Sequence, residues 1–223
     1  VDKSTVDKST VDEPAGGEPA GDGPAVDPRV VERIDRAWQR IETWLAAHAP
    51  ATAATLAPPA TVDSIAAAEQ AVGVAFPAEL VASLLRHNGA ESTSTVSAFT
   101  LPTIYEPMSV DRIVAAWRLR CRIDDGARAG DGDGFADGWW WHRRYVPFAE
   151  DGRGDYQFFD QRDGAGSRIG EAARVDGVNF AGQPAGLADL LERTATALET
   201  GEPFNGTWRP VVTDAGELDW TWE

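Results

Sequence analysis

Val30, Ile34, Trp38, Ile41 and Leu45 recur at spacings of three and four. That period lays one apolar stripe along a helix. Asp27 is a favoured N-cap, Pro28 suits the first helical position, and Pro50 marks the end. Residues 51–60, with Pro58-Pro59, read as a linker. A second helix is predicted to start near Thr61–Ser64, to carry Ile65, Glu69 and Val72, and to stop at Gly73. Pro77 opens a third, Ala78–Arg86, ended at His87-Asn88-Gly89, where Asn or Gly can take the left-handed cap position. Ser109 caps a fourth, with Val110, Ile113, Ala116 and Trp117. The last predicted helix, Gly186–Thr200, puts Leu187, Leu190, Leu191, Thr194 and Leu198 on one face before Gly201.

Strand-like runs follow the first helices. Ser97–Leu101 is one and Ser167–Val175 another; Trp208–Val212 and Leu218–Trp222 form a last hairpin or an extension. Between Trp139 and Asp160, two aromatic runs flank Asp151-Gly152-Arg153-Gly154-Asp155. Glycine reaches positive φ without a Cβ clash, so this reads as a hairpin with an acidic tip. Gly152 and Gly154 are its structural turn residues, as Asn88 and Gly89 are at the end of the third helix. Asp124–Gly138, rich in Gly and Asp, reads as a loop. Helices first, then short hairpin-linked strands, predict an α+β fold with an antiparallel sheet rather than alternating βαβ units.

Residues 1–26 repeat Val-Asp-Lys-Ser-Thr and carry no aromatic residue. Such a segment cannot bury enough surface to offset its ordering entropy, so it reads as a disordered acidic tail before one domain, 27–223. The chain is 43% hydrophobic with nine Trp, which is globular, and its formal charge is −16. That balance argues against nucleic acid and anionic membranes and favours a basic protein partner, although solubility alone also accounts for it. A single Cys, Cys121, makes no internal disulfide, and no apolar run approaches a membrane span, so a cytoplasmic protein is expected.

The candidate chemistry is sparse. Asp131-Gly132-Asp133-Gly134 and the hairpin tip lack the full calcium-loop pattern, and His48, His87 and His142 with one Cys complete no zinc set, so no metal or cofactor is expected. There is no Gly-x-Ser-x-Gly elbow. Glu150, Asp151 and Asp155 cluster as a glycosidase pair would, but a solvent-facing tip neither shifts a pKa nor excludes water. Turn chemistry also explains Asp151 and Asp155. Trp139, Trp140 and Trp141 read as strand residues, with Trp140 facing opposite to its neighbours. Exposed Trp beside carboxylates is the composition of an interaction hot spot. The candidate partner-binding set is therefore Trp139, Trp140, Trp141, Glu150, Asp151 and Asp155.

Three features resemble the SUKH superfamily, which groups yeast Smi/Knr-type cell-wall-synthesis regulators with bacterial immunity proteins. The first is Ile65 to Gly73 with Glu69, then Phe76-Pro77-Ala78-Glu79-Leu80 and Asn88-Gly89. The second is Val146-Pro147-Phe148-Ala149-Glu150-Asp151-Gly152, then Gly154-Asp155 and Phe159-Asp160. The third is the terminal helix, Leu187–Leu198. The resemblance implies a mixed or antiparallel sheet with helices packed around it, and a protein-binding role without enzymatic activity. From it we expect an immunity protein that neutralises a basic toxin, or alternatively a regulatory scaffold.

The tail is predicted to be dispensable for folding. The melting temperature of a chain starting at Pro24 should lie within a few degrees of that of the full chain; a larger loss would mean that the tail packs on the domain.

Overall fold

The computed structural model describes residues 27–131 and 138–222. The predicted tail, 1–26, and residues 132–137 of the predicted loop lie outside them. Helix α1, Pro28–His48, begins where its cap predicts, with the Asp27 side chain accepting from Arg29 N at 2.9 Å. Its stripe buries Ile34, Trp38, Ile41 and Leu45. These pack on α4 (Ala78–Arg86) and α6 (Leu187–Thr200). Arg33 and Arg40 make two-pronged ion pairs to Glu192 and Glu199 of α6. Exposed pairs of this kind add little energy and mainly fix register. All five residues of the predicted α6 stripe are buried, and Gly201 caps the helix at φ 71°.

Helix α3, Val62–Val72, has the two reciprocal bonds of a capping box between Thr61 and Ser64, and ends on left-handed Gly73. Between α1 and α3, the predicted linker contains a short helix, α2 (Pro50–Ala53), and an isolated bridge from Leu56 to Ala90. Helix α4 ends on His87 in an extended conformation; the left-handed residue is Gly89, at φ 79°. This junction does more than cap α4. Asn88 Oδ1 accepts from Val110 N at 2.8 Å, the first amide of α5 (Val110–Asp131). A Cβ on Gly89 would lie 2.5 Å from Ser109 N and 2.6 Å from the Met108 carbonyl carbon.

The sheet is antiparallel throughout: β1 (Glu106–Pro107), β2 (Tyr145–Glu150), β3 (Tyr156–Asp160), β4 (Ile169–Ala173) and β5 (Gly177–Asn179), in that order. The architecture is α+β. Every residue of β3 is buried, because both faces of the sheet centre are covered. Phe148, Phe159 and Ile169 join the main core with α1, α4 and α6. Tyr145, Phe158 and Ala172 form a second cluster with Trp141 and with Cys121 of α5. The C-terminal runs pair as a separate hairpin, β6 (Trp208–Val212) and β7 (Leu218–Trp222), with Trp208 opposite Trp222.

Two predicted elements are corrected. Ser97–Leu101 is no strand, although Phe99 and Leu101 are buried. Side-chain oxygens take its amides: Ser92 Oγ accepts from Ala98 N at 2.9 Å and Thr55 Oγ1 from Phe99 N at 2.8 Å. The predicted loop at Asp124 is instead the continuation of α5 to Asp131. Ala127, Arg128 and Ala129 favour helix, one Gly costs only about 1 kcal/mol, and nothing crowds Gly126. Asp125 is also held by Arg143 at 2.7 Å.

Gly152 sits at φ 73° with nothing within 4 Å of an added Cβ, whereas Gly89 has similar φ in a closed site. Gly152→Ala should therefore cost about 1 kcal/mol, for conformation alone. Gly89→Ala should cost about 3 kcal/mol or more, since overlap with backbone is added. Urea unfolding of the two variants checks the difference; equal losses would refute the close-approach argument.

Candidate functional site

The hairpin tip spends its carboxylates on its own chain. Asp151 Oδ1 accepts from Arg153 N at 2.8 Å and Asp155 N at 2.9 Å, closing the turn through Gly152 and Gly154. Asp155 Oδ1 accepts from Arg174 N at 2.6 Å, tying the tip to the β4–β5 turn. Glu150 lies opposite Glu106 in the β1–β2 register, where like charges repel. Arg112 of α5 sits between them, 2.6 Å from Glu150 and 3.1 Å from Glu106, and also donates to Ala90 O.

The three tryptophans do not form a strand. Trp139–Trp141 are irregular backbone leading into β2, so strict alternation does not apply. Trp139 is 47% exposed, Trp140 half-buried, and Trp141 fully buried against Tyr145 and Phe158. Trp139 is anchored by its main chain: its carbonyl accepts from Val178 N at 2.9 Å. A Cβ on Gly177 would come within 3.2 Å of the Trp139 ring.

Beside Trp140 and Trp141 a groove of about 310 Å³ opens, walled also by Ile123 and floored by Arg120. Arg174 and Asp124 complete its polar rim. Arg120 is only 5% exposed. Its Nη2 donates to Trp140 O at 2.9 Å, and its guanidinium lies 5.4 Å and 5.8 Å from the ring centres of Trp141 and Tyr156. Burial pushes its pKa down from the ordinary arginine value, only partly offset by the Tyr156 hydroxyl and the carboxylates of Asp155 and Asp124. Sequence reasoning missed Arg120, Arg174 and Arg112. One signal was available: Arg120 falls three residues after Trp117 and seven after Ile113, a cation on an apolar stripe.

At the far end of β3, Asp160 is fully buried and accepts from Arg162 and Arg168. Burial alone would raise its carboxyl pKa; the bonds and charge of Arg162, with help from Arg168, outweigh this and hold it below the usual range. Burial likewise pushes the Cys121 thiol up, against a reactive role. Among the described residues, no three His, Cys, Asp or Glu side chains cluster to hold a metal, and no helix is long and apolar enough to cross a membrane.

The family model "SMI1 / KNR4 family (SUKH-1)" matches residues 59–176, just over half of the chain. The chain belongs to the SMI1/KNR4 family. The matched stretch contains the α4–β1 junction, Arg120, the three tryptophans, the hairpin tip and Arg174. Three relatives carry SMI1 or KNR4 in their names. "Cell wall assembly regulator SMI1" of Saccharomyces cerevisiae is 35% identical over 86 residues, which are 37% of this chain and 17% of the relative. The "KNR4/SMI1 homolog" of Kluyveromyces lactis is 44% identical over 55 residues, 25% of this chain and 10% of the relative. That of Eremothecium gossypii is 38% identical over 60 residues, 27% and 9%. The chain spans about a sixth or less of the length of these SMI1/KNR4 proteins.

The Asp160 geometry carries a pH prediction. With the folded pKa lowered, the stabilisation is full above the unfolded value of about 3.9 and is lost as pH falls through the folded value. Asp160→Asn should cost about 2 kcal/mol or more at neutral pH. Urea unfolding from about pH 5 downward should show a shallower loss of stability in the variant; identical slopes would mean that Asp160 contributes none of the acid sensitivity.

Proposed function

We propose that this domain is a non-enzymatic, regulatory protein-binding module whose contact surface is centred on Trp139 and Trp140. The observation that carries this is Trp139: a large apolar ring, 47% exposed, on a main chain fixed by the sheet. An indole held out to solvent on rigid backbone loses little entropy when covered, which is how hot-spot residues act. Glu150, Asp151 and Asp155 support the surface rather than touch the partner, because each is already bonded within the domain. The name of the yeast relative, a cell wall assembly regulator, favours a regulatory scaffold. The formal charge of −16 favours a basic partner, the other role expected from the sequence, neutralisation of a basic toxin, included.

The test is affinity capture from the cells that make the protein, with quantitative mass spectrometry. Trp139→Ala combined with Trp140→Ala should leave the melting temperature within a few degrees and deplete specific partners about tenfold or more. Unchanged capture by this folded variant would move the binding surface elsewhere.

A further inference from the structure

The groove beside Trp140 has a chemistry that the net charge of the chain does not suggest. Its walls are apolar and aromatic, and its floor is the buried cation Arg120. Among the described residues Arg120 has no carboxylate within ion-pairing distance, and its Nε is buried without an acceptor. Arg174, on the same groove, is likewise paired with no carboxylate there. Most of the arginines around them are spent: Arg112 on Glu106 and Glu150, Arg143 on Asp125, Arg162 and Arg168 on Asp160. A buried guanidinium held only by a carbonyl and two rings gains most from a carboxylate, which would replace the hydration it has lost. The volume of about 310 Å³ suits a pair of adjacent side chains rather than a whole helix.

We propose that this groove receives a single carboxylate borne next to a bulky apolar side chain, presented by a peptide segment of the protein partner. The carboxylate meets Arg120 and Arg174, and the apolar group lies against Ile123 and Trp140. The proposal rests on the protein-binding reading and adds the chemistry of the anchor.

The test uses two peptides that differ by one charge, acetyl-Gly-Phe-Glu-Gly-amide and acetyl-Gly-Phe-Gln-Gly-amide, titrated into the full ¹⁵N-labelled chain. Two-dimensional NMR reads the Arg120 Nε–H and the Trp140 indole N–H. The Glu peptide should shift both signals and bind at least tenfold more tightly than the Gln peptide. Arg174→Gln, at an exposed position, should abolish most of that ratio without unfolding the domain; Arg120→Met is the harsher second variant. Equal affinities, shifts confined to other residues, or a ratio unchanged in Arg174→Gln would overturn the proposal. So would free indole-3-propionate binding as tightly as the Glu peptide, which would mark a small-acid site. Loss of captured proteins in the tryptophan variant together with equal peptide affinities would overturn the carboxylate anchor alone and leave the protein-binding surface standing.

Discussion

The backbone of Gly89 lies against that of Pro107–Ser109 with no room for a Cβ, and the rest of the domain is placed by that contact. Three hydrogen bonds lock it: Asn88 Oδ1 takes Val110 N, Ala90 N donates to Pro107 O, and Ala57 N donates to Gly89 O. The end of α4, the first strand of the sheet and the start of α5 are thereby fixed together. Once the origin of α5 is set, its period of 3.6 residues decides what lies where along it. Ile113 falls in the main core, Trp117 touches both clusters, and Arg120 reaches the edge of the second. Ile123, one turn further, is 50% exposed and walls the groove. The stripe that builds the core thus emerges from it as one side of a surface site.

Charge is organised by the same economy of position. The formal charge is −16, yet the carboxylates of the hairpin tip are each bonded within the domain. Asp151 and Asp155 replace backbone partners in a turn too short to make them otherwise. Arg112 reconciles two glutamates that the β1–β2 register sets opposite each other. At the groove stand two arginines with no carboxylate partner among the described residues, Arg120 and Arg174, and one carboxylate, Asp124. For the proposed partner, long-range attraction and short-range fit would then select different features: overall charge the encounter, the groove the register.

Most helices were legible in the sequence because they carried a period and a punctuated end, as at Asp27-Pro28 or Thr61 with Gly73; the four-residue α2 and the last turns of α5 had neither. Runs without a period were not. The apolar stretch at Phe99 reads as a strand, but hydroxyls of Ser92 and Thr55 occupy its amides, a partnership between residues that sequence order keeps apart. Gly and Asp after Asp124 suggested a loop, because turn propensity outweighs helix propensity on paper and tertiary support for Asp125 is invisible there. The site was half legible. Composition marked the tryptophans and the hairpin tip, and turn chemistry accounted for Asp151 and Asp155, but nothing in the sequence showed that Glu150 pairs with Arg112. Nor could it reveal that Arg120, some twenty residues before Trp140, lies beneath the tryptophan segment.

That the tryptophans sit in irregular backbone rather than a strand has a physical consequence. β5 is one edge of the sheet, and an unprotected edge invites pairing with other chains. The carbonyl of Trp139 takes the Val178 amide, and its indole packs where Gly177 leaves space for it. Trp139 therefore covers the edge with one part of itself and presents the rest to solvent. A regular strand in this place would have prolonged the sheet and exposed a new edge. An irregular segment ends the sheet and leaves a fixed aromatic surface at its border, so edge protection and exposure of the Trp139 ring follow from one hydrogen bond and one glycine.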